Sequence, residues 1–115
     1  MTAEQQRLAI EANIREARKF IELDESLERL SSNRDFRKLI KEGYFEKEAI
    51  RLVGLKADPS MQTPERQATI IVAIDGIGRL QEFFRGIKFN ADQARKAIAA
   101  GEEQLEELAA EELQS

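Results

Sequence analysis

The stretch AIDGIGRLQEFFRGI, residues 73–87, carries two glycines one residue apart inside an apolar run. Read as a loop it would cradle phosphate and point to an enzyme. Read as a helix it is a thinned segment of a packing module. A dinucleotide-binding turn needs a strand before the glycines and a third glycine three residues after the second, where Gln81 stands. Instead Ile70, Ile74, Ile77, Leu80 or Gln81, and Phe84 recur at three and four, the spacing of one helical face. Gly76 and Gly78 therefore fall inside a helix. Each costs roughly 1 kcal/mol against alanine there, so tertiary structure must compensate. The expected compensation is close backbone approach by a crossing helix, with or without a kink; a local break is the alternative.

Working outward, Thr63 and Pro64 give this helix a strong start: a hydroxyl cap, proline at the first helical position and Glu65 in the first turn. The preceding KADPSMQTPER, residues 56–66, is the one evident linker, with Pro59 disfavouring helix at Asp58. Upstream of it, Ser32 or Asn33 caps a helix carrying Phe36, Leu39 and Ile40. Gly43 reads as a left-handed C-terminal cap at which Tyr44 and Phe45 turn the chain. Glu46 then opens another short helix with Ala49, Ile50, Leu52, Val53 and Leu55.

Long amphipathic helices are expected at both ends. From Ala3 to Leu30, apolar residues recur at Ile10, Ile14, Ala17 and Ile21, then at Phe20, Leu23, Leu27 and Leu30, regularly enough for a coiled-coil seam. After Gly86, Asn90 is the expected cap of a last helix whose stripe runs Ala94, Ile98, Leu105 and Leu108, passes through Gly101 and frays beyond Leu108. The stripes on the terminal helices are candidates for self-association, within one chain or between chains. The expected architecture is all-α: a single helical domain over 1–115, a bundle with long terminal and short central helices. At 42% hydrophobic and 35% charged with two prolines, the composition favours such helices over sheets.

The chain has no cysteine and no histidine, which excludes disulfides, thiolate metal sites and Ser-His or Cys-His catalysis. The pairs Glu102 with Glu106 and Glu103 with Glu107 share a helix face, but a carboxylate di-metal bundle adds histidines from other helices. They read as a solvated acidic face, with no metal, no cofactor and no enzyme activity expected. No apolar run approaches membrane-spanning length, so a soluble, cytoplasmic protein is expected.

The net charge of −4 is uneven: residues 97–115 hold six glutamates and no lysine or arginine, whereas Arg79, Arg85, Lys88, Arg95 and Lys96 make 79–96 locally basic. That basic stretch suits the acidic tail of a neighbouring subunit, or phosphate. Without a strongly basic domain, the balance argues against nucleic acid as a partner. Tyr44, Phe45, Phe83 and Phe84 are the aromatics most suited to contacts; adjacent Phe83 and Phe84 cannot both face one core, so one of them is a candidate for a second interface.

The stretch DFRKLIKEGYFEKEAIRLVGLKADPSMQTPERQATIIVAIDGIGRLQEFFRGI, residues 35–87, resembles a type of small helical protein encoded by tailed bacteriophages. In that type a segment like LIKEGYFEKEAIRL is followed by KADPSMQ, then a helix with IDGIGRL ending in paired aromatics. The resemblance implies an accessory protein of the virion or an assembly factor, in the host cytoplasm or the particle, whose partners are copies of itself or other phage structural proteins. No catalytic residues come with it. The alternative is a small cytosolic regulator that binds a host protein through the acidic tail or the aromatic patch.

Overall fold

The computed structural model describes residues 1–114, and among them every regular element is helical. Helix α1 spans Ala3–Ser31. A second helix, α2, covers 34–57: one α-helical turn at Arg34–Phe36, a π-helical stretch over Arg37–Glu48 and a return to α geometry over Ala49–Ala57. A short 3₁₀ turn, Pro59–Met61, leads to α3, which runs unbroken over Pro64–Gln114.

The helix starts follow from local chemistry. Thr2 Oγ1 accepts from the Gln5 amide at 3.1 Å while Gln5 Oε1 accepts from the Thr2 amide at 3.0 Å, a reciprocal capping box that opens α1. Asn33, rather than Ser32, caps α2, its Oδ1 accepting from the Phe36 amide at 2.9 Å. Thr63 caps α3 as expected, accepting from the Arg66 amide at 3.3 Å, with Pro64 at the first helical position.

Three expected breaks are absent. Gly43 does not end a helix: no glycine has positive φ, and the chain passes through Gly43, Tyr44 and Phe45 as π-helix. The reason lies in the half-buried residues of this segment, Phe36, Ile40, Tyr44 with Phe45, and Ala49, which recur every four to five positions. An i→i+5 ladder takes roughly 4.4 residues per turn and keeps them on one face, where an α-helix would let them spiral away. Asn90 caps nothing and Gly86 breaks nothing, because a buried stripe runs straight on through Ala91 and Ala94. The helix extends to Gln114, in keeping with the alanine, leucine and glutamate of this segment.

Contacts group the residues into two compact units. Unit 1 joins Met1–Ser26 to Gly86–Ser115. In it α1 and α3 run antiparallel, with Asp24 beside Lys88 and Arg95, and Ile14 and Ile10 beside Gly101. The seam is Ile10, Ile14, Ala17, Ile21 and Asp24 against Ile87, Ala91, Ala94, Ile98, Gly101, Leu105 and Leu108, an alternation of fours and threes on both helices. That is the 3.5-residue period of a coiled coil, built here with small residues at its centre. Phe20 and Leu23, expected on the same face, lie beside this seam and are exposed.

Unit 2, Leu27–Arg85, is a second antiparallel pairing, of α2 with the first part of α3. Its core is Leu52, Ile70 and Ile77, with Tyr44, Phe45, Ala49, Leu55, Met61 and Ile74 packed around it. The connection is held by side chains standing in for missing backbone partners. Gln62 Nε2 donates to the carbonyls of Lys56 and Asp58 at 2.9 and 2.7 Å, and Gln67 Nε2 to those of Lys56 and Met61 at 3.0 and 2.8 Å. The Asp58 carboxylate accepts from the Ser60 amide and hydroxyl, which holds it below the usual carboxylate range.

Candidate interaction surface

The structure divides the expected contact residues between inward and outward roles. Ile14 is buried and Ile10, Ile21, Ile98, Leu105 and Leu108 are half-buried in the seam of unit 1, so the two terminal stripes meet within one chain. Leu27 is buried and belongs to unit 2. In unit 2, Phe84 turns inward: its ring stands edge-on to Phe36 at 6.0 Å and to Phe45 at 6.2 Å, and Phe45 lies 6.0 Å from Tyr44. Phe83 is 63% exposed. Of the two adjacent aromatics, Phe84 has a place in the core and Phe83 is the one left on the surface.

The glycines behave differently from expectation. A Cβ on Gly78 would meet nothing within 4 Å, and one on Gly76 would meet only the Tyr44 hydroxyl at 3.5 Å, an ordinary contact. Neither makes room for a neighbouring backbone. The close approach is at Gly101, where a Cβ would come within 3.1 Å of Ile14 Cδ1 and Cγ1. In the sequence Gly101 marks only a position that the stripe passes through.

Sequence reasoning also missed Asp24, which is 5% exposed at a seam position where the spacing calls for an apolar residue. Its carboxylate accepts from Arg95 Nη2 at 2.8 Å and lies 3.4 Å from Lys88 Nζ, and Arg95 also reaches Asp92 at 3.0 Å. The hydrogen bond from Arg95, helped by Lys88, outweighs burial and holds the Asp24 carboxyl below its ordinary value. The stripe 10, 14, 17, 21 predicts position 24, and a carboxylate there was the available signal. Two cations expected to await a neighbour's acidic tail are thus engaged within unit 1, and Arg85 pairs with Glu82 one turn away.

Unit 2 also leaves apolar side chains outward. Ile50 is 72% exposed, Val72 is 69%, and Leu39 and Val53 are similarly open. Leu39, Ile50 and Val53 lie on α2 away from Leu52, and Val72 and Phe83 lie eleven residues apart on one face of α3. Between the two helices lies a groove of about 350 Å³ lined by Leu52, Leu55, Met61 and Ile70, with Arg51 and Arg66 among its polar members.

Among the described residues no group of acids could hold a metal ion, and no helix is long and apolar enough to cross a membrane. No protein-family model matches the chain, and neither a curated protein nor a solved structure does.

Proposed function

We propose that this chain is a non-enzymatic interaction protein that completes its packing by helix-mediated association. On the resemblance of residues 35–87, the setting is a bacteriophage virion or its assembly, with copies of the chain or other phage structural proteins as partners. The observation that carries this reading is the surface left open. The folded chain exposes 8605 Å². A compact monomer of its mass exposes about 6,400 Å², and even two separate compact units of half that mass about 7,700 Å². Part of the surplus is apolar: Ile50 and Val53 on α2, and Val72 and Phe83 on α3, point away from the core of unit 2 and are well exposed. Exposed apolar side chains on the outward side of each helix suit partner helices.

The test is absolute mass in solution by light scattering, on the full chain at about 100 µM, beside Ile50→Ser and Phe83→Ser, with a pull-down from phage-infected cells in parallel. The expected result is a defined oligomer that either substitution weakens, and recovery with particles or their assembly intermediates. A monomer that captures one soluble host protein would instead establish the regulator.

A further inference from the structure

The groove of unit 2 has a complement elsewhere in the same molecule. Its apolar lining, Leu52, Leu55, Met61 and Ile70, stands beside two arginines. Arg51 exposes 60% of its side chain even while paired with Glu48, and Arg66 donates to the Ser60 carbonyl. Glu65 also lines the groove and Glu48 pairs with Arg51, so the charge that steers a partner is that of the whole unit. Unit 2 as a whole carries eleven basic and nine acidic residues, net +2, whereas unit 1 carries seven and thirteen, net −6. Six of those acids lie between Glu102 and Glu112, on the last turns of α3. There, Glu106, Ala109, Ala110 and Leu113 share the helix face turned away from the seam residues Gly101, Leu105 and Leu108, and Leu113 is 89% exposed.

We infer that the groove of one copy receives the last turns of α3 from a second copy, Leu113 entering the apolar lining and Glu106 meeting Arg51 and Arg66. The contact is a helix laid in a groove, with charge fixing its direction. Donor and acceptor surfaces are different, so two copies exchanging tails close as a pair, and one-way contacts run head to tail into a ring or an open series. The inference rests on the reading of the chain as self-associating and names the site that does it.

The absence of cysteine makes a direct test possible. Thr69 lines the groove and Ala110 shares the docking face with Leu113, and both are exposed, so Thr69→Cys and Ala110→Cys leave the core and the Leu113 anchor untouched. The two full-length variants are mixed under mild oxidation, so that any mixed disulfide joins different chains. The mixed disulfide is expected to form about tenfold faster than between Thr69→Cys and a Gln93→Cys control, at an exposed position far along α3 from its last turns, through the raised effective concentration at a docked site. Salt at about 0.5 M should slow it. Arg51→Glu in the first partner should slow it too, and Glu106→Arg in the second should restore it. Equal rates in both pairs, or no response to the charge exchange, would overturn the contact. Light scattering separates the two levels: an oligomer without the preferential disulfide overturns this site and leaves association through the outer face of unit 2, whereas a monomer overturns both.

Discussion

Asp24 shows how much one side chain can specify. A carboxylate in a seam of isoleucines and alanines is tolerated because Arg95 and Lys88 reach it from α3, and it satisfies them only in one alignment of the two helices. A buried polar residue of this kind fixes register more than it adds stability. Asp24→Leu should therefore shift the unfolding free energy by no more than about 1 kcal/mol while loosening the alignment, seen as broadened amide signals along α1. Arg95→Ala, which leaves the carboxylate buried with Lys88 alone, should be the more damaging of the two in urea titrations. The pH dependence has a definite sign. The folded carboxyl titrates below its unfolded value of 3.8, so its contribution is complete above that value and disappears as pH falls through the lowered folded one. The wild-type chain should lose urea resistance more steeply than Asp24→Asn below about pH 4.

At the scale of the elements, glycine gives opposite outcomes according to what surrounds it. Gly78 faces open space in mid-helix, so Gly78→Ala should raise stability by roughly 0.5–1 kcal/mol. A Cβ on Gly43 would sit 3.1 Å from the Lys38 carbonyl oxygen, five residues back in the π-helix, and backbone yields little. Gly43→Ala should destabilise in spite of alanine's helix propensity, and Gly101→Val should cost roughly 2 kcal/mol by wedging the seam against Ile14. Thermal unfolding of the three variants checks all of them. The same elements show what was legible in the sequence. Helix type, the Thr63–Pro64 start and the seam residues Ile10, Ile14, Ile98, Leu105 and Leu108 could be read because a 3.5 to 3.6 period and a capping hydroxyl are strong local signals. The π-helix could not be read with a template of three and four, although the positions of Phe36, Ile40, Phe45 and Ala49 encode it. Gly43 and Asn90 were misread because a residue suited to a cap becomes one only where the apolar stripe stops, and here it continues.

At the scale of the whole molecule, the outer face of unit 2 was not legible, because periodicity identifies apolar helix faces without saying which of them a partner within the chain will cover. Ile50 and Val53 looked equivalent to Leu52 in the sequence, yet Leu52 is buried and they are not. The seam residues of unit 1, conversely, looked available for self-association and are consumed internally. This division predicts that Phe83→Ser and Ile50→Ser leave unfolding of the single chain within about 0.5 kcal/mol of wild type while lowering the oligomer mass. Phe84→Ala should cost roughly 2 kcal/mol or more, through its contacts with Phe36 and Phe45.

The two units also differ in when they can form. Unit 2 is one continuous stretch of chain, so its contacts close short loops and are available once Arg85 has emerged from the ribosome. Unit 1 needs the residues from Gly86 onward, which follow on the order of a few seconds later at the usual pace of translation. Throughout that interval the seam of α1, with Ile10, Ile14 and Ile21, has been made and has nothing of its own to cover it. The nascent chain passes through a stage at which a chaperone, or another chain emerging from the same message, competes for the place that α3 will take.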